Sequence, residues 1–236
     1  MRDSDAWRLR DIPYALAIYF SLLVLTSIVE AKVMGEVTFN NNVAPSLLFL
    51  LEEFVDAFIL VGVTLFFVTV LYKETPRKVG LHIQSGAKNL VIGLLGGLLV
   101  WLIVAPLDIT VIRLFGEGPI QQPLISRLER ATEAVDYLVV FLSGSLLGPV
   151  SEEIFFRGFV YTILKNRSPK WLAIIATNLL FFSLHLSPWW FPQVFTMGVL
   201  FTFLFDYSGS LVSVIVAHSL ANLLSMFTAY WDLATL

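Results

Sequence analysis

The stretch GPVSEEIFFRGFVY, residues 148–161, sets two adjacent carboxylates, Glu152 and Glu153, and the arginine Arg157 inside an otherwise apolar run. Its reading depends on the solvent around it. The chain is 57% hydrophobic and 14% charged, with 20 Phe and a mean hydropathy of +0.81. Soluble domains carry about 25% charged residues. Lipid explains this composition and an ordinary aqueous core does not. Residues 148–161 therefore belong to a transmembrane helix, where each ionisable side chain costs about 2.5–3.5 kcal/mol at the centre and marks function.

Working outward, apolar runs of bilayer-spanning length occur at 13–34, 54–72, 88–107, 137–164, 171–187, 191–207 and 210–230. The fifth and sixth are short and separated by Ser187-Pro-Trp-Trp-Phe191, an aromatic turn suited to a membrane interface. The expected fold is an all-α, polytopic bundle of seven transmembrane helices enclosing an intramembrane site. Pro45–Leu51 is read as an interfacial helix or the start of an eighth span. The first run follows basic residues and exceeds the roughly 7–15 residues of a signal peptide, so it reads as a retained helix. The whole of 1–236 reads as one integral-membrane domain.

Basic residues orient the bundle. With the N-terminus cytoplasmic, ten Lys and Arg in the terminus and the loops 73–88 and 165–170 fall inside, against Lys32, Arg113, Arg127 and Arg130 outside. The net charge of −3 and the lack of a basic cluster exclude a nucleic-acid partner. The absence of cysteine excludes disulfides, thiolate metal sites and a cysteine nucleophile. The polar connector 108–136 reads as a loop and an amphipathic helix, and Glu52, Glu53 and Asp56 as interfacial charges.

The polar residues within spans form a short set: Glu152, Glu153, Arg157, His185, His218 and Asn222. The third histidine, His82, falls in a charged loop. Glu153 and Arg157 are four residues apart and share a helical face. Their pairing neutralises both, which assigns them to holding the site. Glu152 is rotated by about 100° and left free for chemistry. His218 and Asn222, also four apart, can converge on one ligand atom. At about 1.5 Å per residue, Glu152, His185 and His218 lie roughly 18, 22 and 12 Å from the inner ends of their helices, all within a core of about 30 Å.

A carboxylate and an imidazole can deprotonate water and then protonate a leaving amine. A second imidazole and an amide N–H can stabilise the oxyanion of a tetrahedral intermediate. Alternatively Glu152, His185 and His218 would serve as zinc ligands with an open position for water. H-E-x-x-H is absent, as is a serine-centred nucleophile motif. Activated water without a bound cofactor is the favoured expectation.

On these residues the chain resembles the CPBP (Abi) family of intramembrane proteases, which includes CAAX prenyl endopeptidases and bacteriocin-immunity-type proteins. Its three motifs stand here in order as Glu152-Glu153-x-x-x-Arg157, Phe181-x-x-x-His185 and His218-x-x-x-Asn222. The resemblance covers 135–225, the expected catalytic core. It implies that Glu152 and His185 activate the water, that His218 and Asn222 hold the oxyanion, and that Glu153 and Arg157 support the catalytic helix. It implies a membrane-associated peptide or protein substrate, with a prenylated CAAX peptide as one class, and a mechanism without a required metal. Two other readings stand beside it: a non-hydrolytic peptide- or bacteriocin-immunity binding protein, and a proton-coupled transporter. Transport would require Gly/Pro-broken helices in matching halves, for which Gly96-Gly97 and Gly148-Pro149 are the candidates.

Overall fold

The computed structural model describes residues 7–40, 45–82, 86–116, 123–185 and 187–235. Arg2 and part of the polar connector, 117–122, lie outside the described residues. Among the described residues the structure is helical, with no strand. We number the helices in chain order. α1 is Asp11–Asn40. α2 is Pro45–Leu65, prolonged by a π-helical stretch, Phe66–Leu71. α3 is Gly86–Phe115 and α4 the short Pro123–Arg130. α5, Ala134–Lys165, is continuous over 32 residues. α6 is Lys170–Ser183, α7 Phe191–Ser208 and α8 Leu211–Thr235.

The seven expected spans correspond to α1, α2, α3, α5, α6, α7 and α8. Six contain segments long and apolar enough to cross a membrane, while α6 has 14 residues. At about 1.5 Å per residue α6 reaches roughly 21 Å, short of a hydrocarbon core of about 30 Å. The helix ends at Ser183 with Leu184 as its C-cap, so His185 sits just beyond the helix end. Pro45–Leu51 is neither an interfacial helix nor an eighth span; it forms the first turns of α2. The carboxylates at 52, 53 and 56 make hydropathy fall there without ending the helix. α3 likewise continues past the expected residue 107, through Pro106.

Each helix end has a local cause. Asp136 starts α5 by accepting the backbone N–H groups of Thr132 (3.1 Å) and Glu133 (3.0 Å), satisfying donors that a helix start leaves unpaired. Gly209 ends α7 in the left-handed region at φ 66°. One end of the bundle gathers the basic loops. There Arg167 Nη2 donates to the Trp7 carbonyl at 2.8 Å and Tyr72 Oη to Asp11 Oδ2 at 2.6 Å. Nearby Asp206 receives the Tyr161 hydroxyl at 2.7 Å and the ammonium groups of Lys165 and Lys170.

α1 lies at the margin against α2 and exposes Val24, Leu25 and Ile28, as lipid contact requires. α3 and α8 make the closest long pairing. It passes through Gly93 and Gly97, spaced as in the small-residue motif that lets membrane helices approach. A Cβ on Gly93 would meet the Ser213 carbonyl at 2.7 Å, and one on Gly97 the Ala217 carbonyl at 2.6 Å. Gly96-Gly97 is thus a packing surface in an unbroken helix. α5 also runs on through Gly148-Pro149, so neither pair breaks a helix as the transport reading requires. Gly97→Ala is expected to destabilise the fold by about 1–3 kcal/mol, because backbone must move. Gly62→Ala, which meets nothing within 4 Å, should be neutral or stabilising by about 0.5–1 kcal/mol. Thermal unfolding of both variants in detergent checks the contrast.

Candidate active site

The site is built around α5. Two π-helical stretches, Ser143–Leu147 and Ile154–Tyr161, flank the α-helical turn Gly148–Glu153. A π turn withdraws a carbonyl from the regular i→i−4 ladder, and such turns concentrate at functional sites. Two side chains serve α5 carbonyls here: Asn222 Nδ2 of α8 donates to Gly144 at 2.9 Å, and Thr162 Oγ1 of α5 itself to Arg157 at 3.1 Å.

Arg157 is fully buried. Nη1 donates to Glu153 Oε1 at 2.9 Å; Nη2 donates to the Gly198 carbonyl at 2.9 Å and to Asn178 Oδ1 at 3.3 Å. Its Cζ lies 4.8 Å from the centroid of the Phe181 ring and 5.7 Å from that of Phe201. The expected Glu153–Arg157 ion pair is present. It is one edge of a larger assembly joining α5, α6 and α7.

α8 enters through His218, which is 1% exposed. Its Nδ1 lies 2.7 Å from Glu153 Oε1, the oxygen that also receives Arg157. Its Nε2 lies 3.8 Å from Glu152 Oε2. The helical rotation between neighbours suggested that Glu152 and Glu153 face different partners. Instead one imidazole stands between them and addresses each with a different nitrogen. A donating Nδ1–H gives Glu153 a charge-assisted bond and turns Nε2 toward Glu152. Glu152 is itself 30% exposed at the side chain, whereas Glu153 is wholly buried. The accessible carboxylate and the enclosed one are adjacent in sequence.

His185 and Asn222 connect to this region through other residues. His185 has Nδ1 3.0 Å from the Phe181 carbonyl, which orients the ring. Its imidazole packs edge-on against Phe181, 4.8 Å between centroids, and the His218 ring lies 6.4 Å from the same phenyl group. Phe181 thus links both histidines and Arg157. Asn222, one turn from His218 on α8, commits one amide hydrogen to Gly144 and retains a second.

Some participants were absent from the sequence reading. Asn178, Thr202 and Gly198 surround the guanidinium, and the polar pair Asn178 and Thr202 was visible as amide and hydroxyl in apolar runs. Attention to ionisable groups passed over them. Glu53 on α2 has Asp56, Arg127 and Glu152 as charged neighbours. Glu52 pairs with Arg127 at 4.0 Å, while Arg127 caps the Phe49 ring at 3.6 Å.

Among the described residues, no three His, Asp or Glu side chains are grouped to hold a metal ion. Glu152, His185 and His218 are therefore not gathered as a zinc site in this structure.

Arg157→Met would leave Glu153 buried without its cation, a loss of about 3–5 kcal/mol. Arg157→Lys should recover only part, since an ammonium cannot span Glu153, Asn178 and Gly198 as a planar fork does. Thermal unfolding in the same detergent should rank the proteins wild type, Lys, Met.

Comparison with known proteins rests on this same region. No curated protein and no solved structure matches the chain. One family model does, across the π-interrupted helix, both histidine motifs and the helices between them. Residues 134–224 match the family model described as type II CAAX prenyl endopeptidase Rce1-like.

Proposed function

We propose that the protein is an intramembrane endopeptidase that cleaves membrane-associated substrates, prenylated CAAX-type C-termini among them, with a water molecule as nucleophile. The family supplies the general class, an intramembrane CAAX-type endopeptidase. The observation that carries the mechanism is the contrast within one carboxylate pair: Glu153 is enclosed and bonded, while Glu152 is partly exposed beside His218.

In this reading Glu152, assisted by His185, takes a proton from water as its oxygen attacks the scissile carbonyl carbon. The carbonyl π electrons move onto oxygen. His218, doubly protonated with Glu153 as its counter-charge at Nδ1, donates Nε2–H to that oxyanion, and Asn222 donates its remaining amide hydrogen. The tetrahedral intermediate then collapses, the C–N bond breaks, and the proton held by Glu152 passes to the departing amine. No step requires a metal. Arg157 and Glu153 hold His218 and touch no reacting atom. The N-terminus is assigned to the cytoplasm, with the basic end of the bundle on that side.

Purified protein is to be assayed on membrane-anchored peptides, a prenylated CAAX peptide included, with and without a strong chelator. Glu152→Gln should lower cleavage by about 10²–10⁴-fold, and wild-type activity should survive chelation. Activity lost to the chelator and restored by Zn²⁺ would reverse the metal-free assignment. Undiminished cleavage by Glu152→Gln would remove Glu152 from the mechanism. Failure to cleave any peptide in the panel would favour a binding role.

A further inference from the structure

We propose that Asn178 of α6 is a positioning residue for the reaction, acting through Arg157 and Glu153 on His218, with Gly198 and Thr202 of α7 holding it in register. This inference rests on the function proposed above.

Asn178 is fully buried, and its amide has one orientation that satisfies its surroundings. Nδ2 donates to the Ile174 carbonyl at 2.8 Å and to Thr202 Oγ1 at 3.1 Å. With both donors used there, Oδ1 faces Arg157 Nη2. The flipped amide would set N–H groups against the N–H groups of a guanidinium. Thr202 fixes the amide in turn, because its hydroxyl donates to the Gly198 carbonyl at 2.9 Å. That carbonyl also accepts Arg157 Nη2. Space is as closely set as polarity: a Cβ at Gly198 would lie 2.5 Å from Asn178 Oδ1 and 3.3 Å from Arg157 Nη2.

The effect of this clamp appears at the other end of the guanidinium. Arginine and a carboxylate ordinarily favour a bidentate fork with two parallel bonds. Here Nη2 is held by Asn178 and Gly198, so only Nη1 reaches Glu153, through Oε1. Glu153 Oε2 and Arg157 Nε are buried without a protein partner, so the second pair of a bidentate fork is unmade. The clamp keeps the fork open. Glu153 Oε1 thereby stays directed at His218 Nδ1. Without Asn178, Arg157 would turn onto both carboxylate oxygens and weaken the bond that orients His218.

The chain has three histidines, so selective ¹⁵N-histidine labelling in lipid nanodiscs resolves His218 from His82 and His185. Asn178→Ala should move the His218 Nδ1–H resonance away from its hydrogen-bonded position and leave His82 and His185 in place. On a cleaved peptide it should lower kcat by about 10- to 100-fold with KM unchanged. Thr202→Val, nearly isosteric, should shift the same resonance in the same direction by less, and it decides the matter if Asn178→Ala does not fold. An unmoved His218 resonance in a folded variant would overturn the proposal, whatever happens to activity. Equal displacement of all three histidines would overturn it too, since that signals general repacking. The resonance is readable even if no peptide is cleaved, so failure of this inference is distinguishable from failure of the proposed function.

Discussion

A guanidinium with no access to solvent governs this molecule. Taking a charge out of water costs several kcal/mol even after relaxation, and a buried ion pair is tolerable only when its remaining donors are satisfied. Arg157 meets most of that demand with a carboxylate from its own helix, an amide from α6, a carbonyl from α7 and two phenyl rings, while its Nε has no protein partner. His218 of α8 joins through the same Glu153 oxygen. Four helices are therefore placed by one cation. Charge specifies the assembly here where apolar packing alone is weakly selective in lipid.

The two neighbouring carboxylates share one imidazole and have opposite access to water. Glu153 is spent on Arg157 and His218, so its charge is structural. Glu152 is partly exposed, which suits the role proposed for it. The π-helical turns contribute to this division by altering the rotation along α5 and by presenting the Gly144 carbonyl to Asn222. A regular helix from Ser143 to Tyr161 would set these groups at other angles.

Much of this was legible in the sequence. Apolar run length located the seven long or short membrane helices, and the four-residue spacing of Glu153 and Arg157 anticipated their ion pair. The ends were less legible. Glu52, Glu53 and Asp56 lower hydropathy without breaking α2, and Pro106 lies inside α3 instead of ending it. α6 stops at Ser183 although its apolar run continues to residue 187, a difference that hydropathy does not record. The convergence of both carboxylates on His218 was also hidden, since regular helical rotation separates them by about 100° and the position of α8 beside them depends on tertiary packing. Asn178 was visible as a polar residue within a span, but its partnership with Arg157 spans 21 residues and depends on how α6 packs.

In the proposed reaction water activated beside Glu152 is the nucleophile, with the Arg157–Glu153–His218 chain as scaffold. Single-turnover cleavage in H₂¹⁸O, with mass spectrometry of both the product and the Glu152-bearing peptide, decides this. Attack by water places one heavy oxygen in the new C-terminal carboxylate on the first turnover and none in Glu152. An unlabelled first-turnover product with ¹⁸O in the Glu152 side chain would contradict it, because the carboxylate itself would then have attacked the peptide bond.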